Sequence, residues 1–210
     1  MTDEDDLNPH ITRLEERVGL PRGFLDELLI EGDWSFVIKS HAFVEATVAT
    51  FLTEATDARL ETVFSYLQLG GGRTSKLAFA EALDLFEPNC LRFARRLSTL
   101  RNELVHKVKN VYFTFEEYLQ ELEVSERRNI LRDFTAPFPE FEDFLAANGG
   151  VQFQRRAKMV AHFSVVALVS DGHYRLHPEE GSAELERAML STVLGTLLQD
   201  IADEERRGSG

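Results

Sequence analysis

Residues 88–110 read PNCLRFARRLSTLRNELVHKVKN, and their spacing decides the kind of fold around them. At about 100° per residue, Phe93, Leu97, Leu100, Leu104 and Val108 fall on one narrow stripe, the mark of a helix with one face in a core. Pro88 suits the first turn, so a helix is expected from about residue 88 to 107. Asn102 and His106, four apart, fall on the opposite side near Arg95 and Thr99, while Arg101 lies on the border. Six basic residues (Arg92, Arg95, Arg96, Arg101, Lys107, Lys109) stand between positions 92 and 109 against one acid, Glu103. Six minus one is a local excess of five positive charges, in a chain whose formal net charge is -13. Such a segment can hold a phosphate where the rest of the surface repels one. The plainer account is that His106, Lys107 and Lys109 meet the negative end of the helix dipole.

Helical spacing continues on both sides, and strand-type alternation is nearly absent. WSFVIKSHAFVEATVATFLTE, from Trp34 to about Glu54, reads as a long helix with Phe36, Phe43, Val44, Val48 and Phe51 toward the core. Before it, PRGFLDELL places Pro21 near a first turn. After it, Asp57 is expected to cap ARLETVFSYLQL, LGGGRTS to break the chain, and Thr74 or Ser75 to cap KLAFAEALDLF. Thr114 and Glu117 have the spacing of a capping box for FEEYLQELEV. TAPFPE then reads as a linker, EFEDFLAAN with the following GG as a short helix and its stop, and 151–170 as a longer helix. SDGHYRLHPEEGS reads as a loop, and roughly 182–205 as the last helix. The expected fold is all-α, an antiparallel helical bundle. Residues 1–9 are expected to be a disordered acidic lead, 10–133 a helical domain, 134–205 a C-terminal helical extension packed on it, and 206–210 a disordered tail.

Bulk properties narrow the function. Hydrophobic residues make up 43% of 210, enough for a sizeable core. The acidic balance argues against broad binding to nucleic acid or anionic lipid, without excluding a local basic site. MTDEDDLNPH has no secretory pattern, and MVAHFSVVALV is too short for a membrane span, so a cytoplasmic protein with no membrane partner is expected. Cys90 is the only cysteine, which excludes an intrachain disulfide, a thiolate zinc cluster and a paired-cysteine redox centre. GGGRTSK lacks the ending and the preceding strand of an ATP-binding loop. His173 and His177 read as solvated loop histidines and His162 as a satisfied core histidine, so no metal and no cofactor are expected.

The segments SHAFVEA (40–46), SKLAFAEALDLF (75–86) and LSTLRNELVHKVKN (97–110), in that order, resemble the HEPN superfamily of helical RNA-associated domains. The pattern is similar to the mannitol operon repressor-like branch, to which YFTFEEYL (112–119) adds a further match, and it covers roughly residues 34–123. Catalytic members carry Arg, a polar residue, and His after four to six intervening positions; here the set is Arg101, Asn102 and His106.

The resemblance implies a metal-independent endoribonuclease acting as a homodimer, of the toxin or phage-defence kind. RNA would be its substrate and an antitoxin its protein partner. Arg101, Asn102 and His106 would be catalytic, and Arg95, Lys76, Lys107 and Lys109 would bind substrate. His41 and Glu45, one turn apart, would form the opposite wall, the carboxylate raising the imidazole pKa and setting its tautomer. Without function, His41–Glu45 is a local helical pair and Lys76 a solvated lysine at a helix start. The alternative function is a non-catalytic regulator or interaction module of the repressor-like type, with the acidic surface and C-terminal helices contacting a protein partner.

Overall fold

The computed structural model describes residues 9–106, 108–143 and 153–208, and every regular element among them is helical. In chain order these are α1 (Pro9–Arg17), α2 (Phe24–Glu27), α3 (Asp33–Ala55), α4 (Glu61–Tyr66) and α5 (Lys76–Ala82). They continue as α6 (Pro88–Val105), α7 (Phe115–Gln120), α8 (Val124–Phe134), α9 (Phe153–Leu176) and α10 (Ala183–Gly208). The acidic lead 1–8, Lys107, most of the expected EFEDFLAAN helix with its GG stop, and the last two residues of the expected tail lie outside the described residues. Among the described residues, no helix is long and apolar enough to cross a membrane.

Three long helices, α3, α6 and α9, pack on one another, and the others surround them. α4 and α5 lie on α3, α8 on α6 and α9, and α1, α7 and α10 on α9. α3 buries Phe36, Phe43, Val44, Val48 and Phe51, the face that its spacing dictates. α6 likewise buries Phe93, Leu97, Leu100 and Leu104. Val108, the fifth member of that stripe, is instead 88% exposed. The α-helix stops at Val105, and Val108 opens a tighter 3-10 turn whose different pitch rotates it off the stripe.

One buried cluster runs from Ile11 to Leu198 and crosses the boundary expected after residue 133. Phe134 meets Phe93 and Phe115 edge-on, with ring centroids 6.1 and 5.8 Å away, a favoured aromatic geometry. Phe138 is fully buried and Phe141 packs beside it, so these phenylalanines of FTAPFPEFEDF serve the core; Phe144 lies outside the described residues. A buried carboxylate adds a polar staple. Asp33, at the start of α3, accepts from the Phe115 backbone N–H at 2.9 Å and pairs with Lys158 of α9 at 2.8 Å.

Caps settle several local alternatives. Ser75 rather than Thr74 caps α5, its hydroxyl accepting from the Ala78 N–H at 3.2 Å. Thr114 accepts from the Glu117 N–H at 3.1 Å at the head of α7. Asp57 accepts from the Arg59 N–H at 2.9 Å, but it opens a 3-10 turn, and α4 ends at Tyr66.

The largest departure from the sequence reading is at the end of α9. Asp171-Gly172 reads as the start of a loop, yet the helix runs on through Leu176. A Cβ on Gly172 would sit 2.5 Å from a Phe86 ring carbon and 2.6 Å from Phe51. The glycine is therefore a close-approach residue inside a helix, where α9 comes down on α3 and the start of α6. Asp171 reinforces the same seam by accepting from the Glu87 N–H at 2.5 Å. His173 consequently stands on a helix and His177 directly after it, instead of on a solvated loop.

Gly172→Ala separates these two roles. In an unhindered helix the change stabilises by about 0.5–1 kcal/mol, whereas overpacking costs about 1–3 kcal/mol. Denaturant unfolding should show a less stable variant; a more stable one contradicts the close approach.

Candidate functional site

The end of α6 presents Asn102 and His106 to solvent, with Arg101 half-buried at the border of the core face. The earlier arginines of the helix are engaged. Arg92 and Arg96 both reach Asp133, at 2.7 and 2.9 Å, and Arg95 pairs with Glu81 at 2.6 Å. Arg101 has no carboxylate within ion-pair range among the described residues. One of its N–H groups donates to the Asn102 side-chain oxygen at 3.1 Å.

His106 is the residue that closes α6. Among the described residues it makes no hydrogen bond and no ion pair, so nothing joins it directly to Arg101 or Asn102. The helix carbonyls at this end are met by Asn110, whose amide donates to Glu103 and Leu104 at 2.9 and 3.2 Å. That bond folds the following 3-10 turn back under the helix and leaves the imidazole in water. Asn110 was not singled out in the sequence, because a helix-capping Asn four residues past a histidine carries no spacing signal of its own. The turn also exposes apolar side chains around His106: Val105, Val108, Val111 and Tyr112. Lys109 is exposed beside them, and Lys107 lies outside the described residues.

Behind Arg101 lies a buried polar row. Lys76, only 2% exposed, pairs with Glu45 at 2.9 Å and also donates to the Leu67 carbonyl. It ties α5 and the loop before it onto α3, so neither a phosphate contact nor a solvated lysine describes it. His41 is 5% exposed, with Nδ1 4.0 Å from Glu45, which is beyond a hydrogen bond. Its Nε2 is buried without a partner.

The carboxylate was expected to raise the His41 pKa, but burial wins and pushes it down to about 4. Glu45 opposes that shift less strongly, and the positive charges of Arg101 and Lys76 add to it. His41 is therefore a neutral imidazole that feels the Arg101 guanidinium. The structure thus brings His41, Glu45 and Lys76 into one row bordered by Arg101. His162, the expected satisfied core histidine, is indeed buried, but its Nδ1 has no partner. Burial pushes its pKa to about 4 as well, against the weaker pull of Asp26.

No family model matches the chain, and no curated protein or solved structure matches it either. The site therefore stands on its own geometry. A guanidinium fork oriented by an amide can bind and polarise a phosphodiester, and a solvated imidazole four residues beyond that amide can exchange protons with hydroxyl groups.

Two neutral buried histidines make stability depend on pH in a definite direction. Their folded pKa values, about 4, lie below the ordinary value of 6.5, so unfolding below that value takes up protons. The stability they contribute is complete above about pH 6.5 and is lost as the pH falls toward about 4. Melting temperature should drop between about pH 7 and about pH 5, and less steeply in His162→Phe. A flat wild-type profile over that range contradicts the uncharged burial of these rings.

Proposed function

We propose that the chain is a HEPN-type, metal-independent endoribonuclease acting as a homodimer, with Arg101, Asn102 and His106 of two subunits lining one cleft. One observation carries the reading. The other described arginines of α6 face acids, while Arg101, Asn102 and His106 keep free polar atoms at its end, in a protein of net charge -13. Arg95 adds to the same face, since an exposed pair such as Arg95–Glu81 is weak and can yield to phosphate.

The chemistry needs only RNA and these side chains. The 2′-hydroxyl oxygen attacks the adjacent phosphorus while one His106 accepts its proton. The bond to the 5′ oxygen breaks, and the His106 of the second copy, entering protonated, delivers a proton to that leaving oxygen. A 2′,3′-cyclic phosphate and a 5′-hydroxyl result. Arg101 pairs with the non-bridging oxygens as their charge grows, and Asn102 holds the guanidinium fork in place. Imidazole chemistry can both accept and deliver a proton, the two transfers that the cleavage requires. The apolar rim of Val105, Val108, Val111 and Tyr112 is the surface that a second copy would cover. On this reading the protein is a cytoplasmic toxin or phage-defence effector, restrained by a protein antitoxin.

A second reading, a non-catalytic regulator, draws support from α10. Leu185, Met189 and Val193, four residues apart, form an exposed apolar stripe suited to a partner helix. RNA turnover separates the two readings. The protein in EDTA should cleave RNA, and Arg101→Ala and His106→Ala should each slow it by about 10²–10⁴-fold. His106→Ala should leave stability within about 0.5 kcal/mol, since the side chain is solvated. Cleavage that persists unchanged in both variants would falsify the assignment.

A further inference from the structure

The far end of α9 gathers chemistry that the α6 site does not use. His177 donates its backbone N–H to the His173 carbonyl at 2.8 Å, so helical geometry carries through to it and both imidazoles leave the same face. Their ring centroids are 4.9 Å apart. The chain then turns back, with the Glu180 N–H donating to the His177 carbonyl at 3.0 Å, and presents two carboxylates to the two rings. Glu180 Oε2 lies 3.2 Å from His173 Nε2, and Glu179 Oε1 lies 3.8 Å from His177 Nδ1. One donor atom each from His177, Glu179 and Glu180 lies within 4.8 Å of the other two.

The outer face of His177 is organised as well. Glu54, at the end of α3, places Oε1 2.7 Å from His177 Nε2 and is itself held by Arg17 at 2.9 Å. A carboxylate that close favours the proton on Nε2, which leaves the Nδ1 lone pair directed toward Glu179. Metal-bound imidazoles are commonly backed by a carboxylate in this way.

We propose that His173, His177, Glu179 and Glu180 form a binding site for a divalent transition-metal ion of the zinc type, with Glu54 as the positioning residue behind His177. Two imidazole nitrogens and two carboxylate oxygens match the ligand preference of such ions. Metal–ligand bonds of about 2.0–2.2 Å at tetrahedral angles give ligand–ligand edges of about 3.3–3.6 Å. The His173–Glu180 and His177–Glu179 separations of 3.2 and 3.8 Å lie close to that edge. The donors of His177, Glu179 and Glu180 as a set lie within 4.8 Å and, with His173, draw in around the ion. Arg13, 3.1 Å from Glu180, is an exposed guanidinium that must swing aside for the ion. The ion clips the turn after α9 to the end of that helix and, through Glu54 behind His177, to the end of α3. The site is independent of the proposed RNA chemistry, since Glu54 is nine residues from Glu45 along α3, roughly 13 Å at the rise of a helix.

The test is titration of the full chain with Zn²⁺ by calorimetry and with Co²⁺ by visible absorption. One ion per chain should bind saturably, with cobalt bands of a four-coordinate nitrogen–oxygen site and a raised melting temperature that EDTA reverses. His177→Ala and Glu180→Gln should abolish binding, and Glu54→Gln should weaken it about 10–100-fold. Cys90→Ser and His106→Ala should leave it unchanged. Glu179→Gln alters an exposed side chain and must also weaken binding, which covers the case of a His177 variant that fails to fold. No saturable binding, or full affinity retained in Glu179→Gln and Glu180→Gln, overturns the proposal. RNA cleavage in EDTA is read separately, so either idea can fail without the other.

Discussion

An ammonium group enters a helical core only with a partner, and the pairing of Lys76 with Glu45 is the constraint on which the rest of the candidate site depends. It fastens the short α5 and the glycine-rich loop before it to the middle of α3. It also occupies Glu45, the acid on α3 facing this region. His41, one turn earlier, then has no strong stabiliser for a positive charge and stays neutral in its buried position. Arg101 is left without a carboxylate among the described residues. The pairing of a buried lysine with a half-buried glutamate thereby leaves a guanidinium without an acid at the surface of a strongly acidic protein.

The second constraint is where α6 stops. Had the helix continued for another turn, Val108 would have joined Leu104 in the core and His106 would have sat mid-helix. Instead Asn110 satisfies the last carbonyls, the chain tightens into a 3-10 turn, and Val108 and Tyr112 swing outward. Polar chemistry and an apolar rim arise side by side from one helix ending. The metal site proposed at the opposite end of α3 has a parallel origin, because a helix that outlasts its expected stop carries two histidines toward a returning loop.

Periodicity made the helices legible, and with them the buried faces of α3 and α6, because apolar spacing reports directly on which side of a helix meets a core. It also placed Asn102 and His106 on the exposed side and Arg101 at the border. Long-range pairing was not legible. Lys76 and Glu45 are separated by 31 positions, and nothing local marks a lysine at a helix start as buried. The direction of the His41 pKa shift escaped for the same reason, since a neighbouring carboxylate is visible in sequence and desolvation is not. Gly172 misled because glycine as a helix breaker and glycine as a contact residue look alike until the two phenylalanine rings above it are known.

In the proposed function, Arg101, Asn102 and His106 promote attack by the RNA's own 2′-hydroxyl. The ends of the product fragments test it most directly. Cleavage in EDTA of an oligoribonucleotide should yield a 2′,3′-cyclic phosphate and a 5′-hydroxyl, and replacing the 2′-hydroxyl by hydrogen at the cleaved position should stop the reaction. Fragments with 3′-hydroxyl and 5′-phosphate ends, or cleavage that tolerates the 2′-deoxy substitution, would contradict the account.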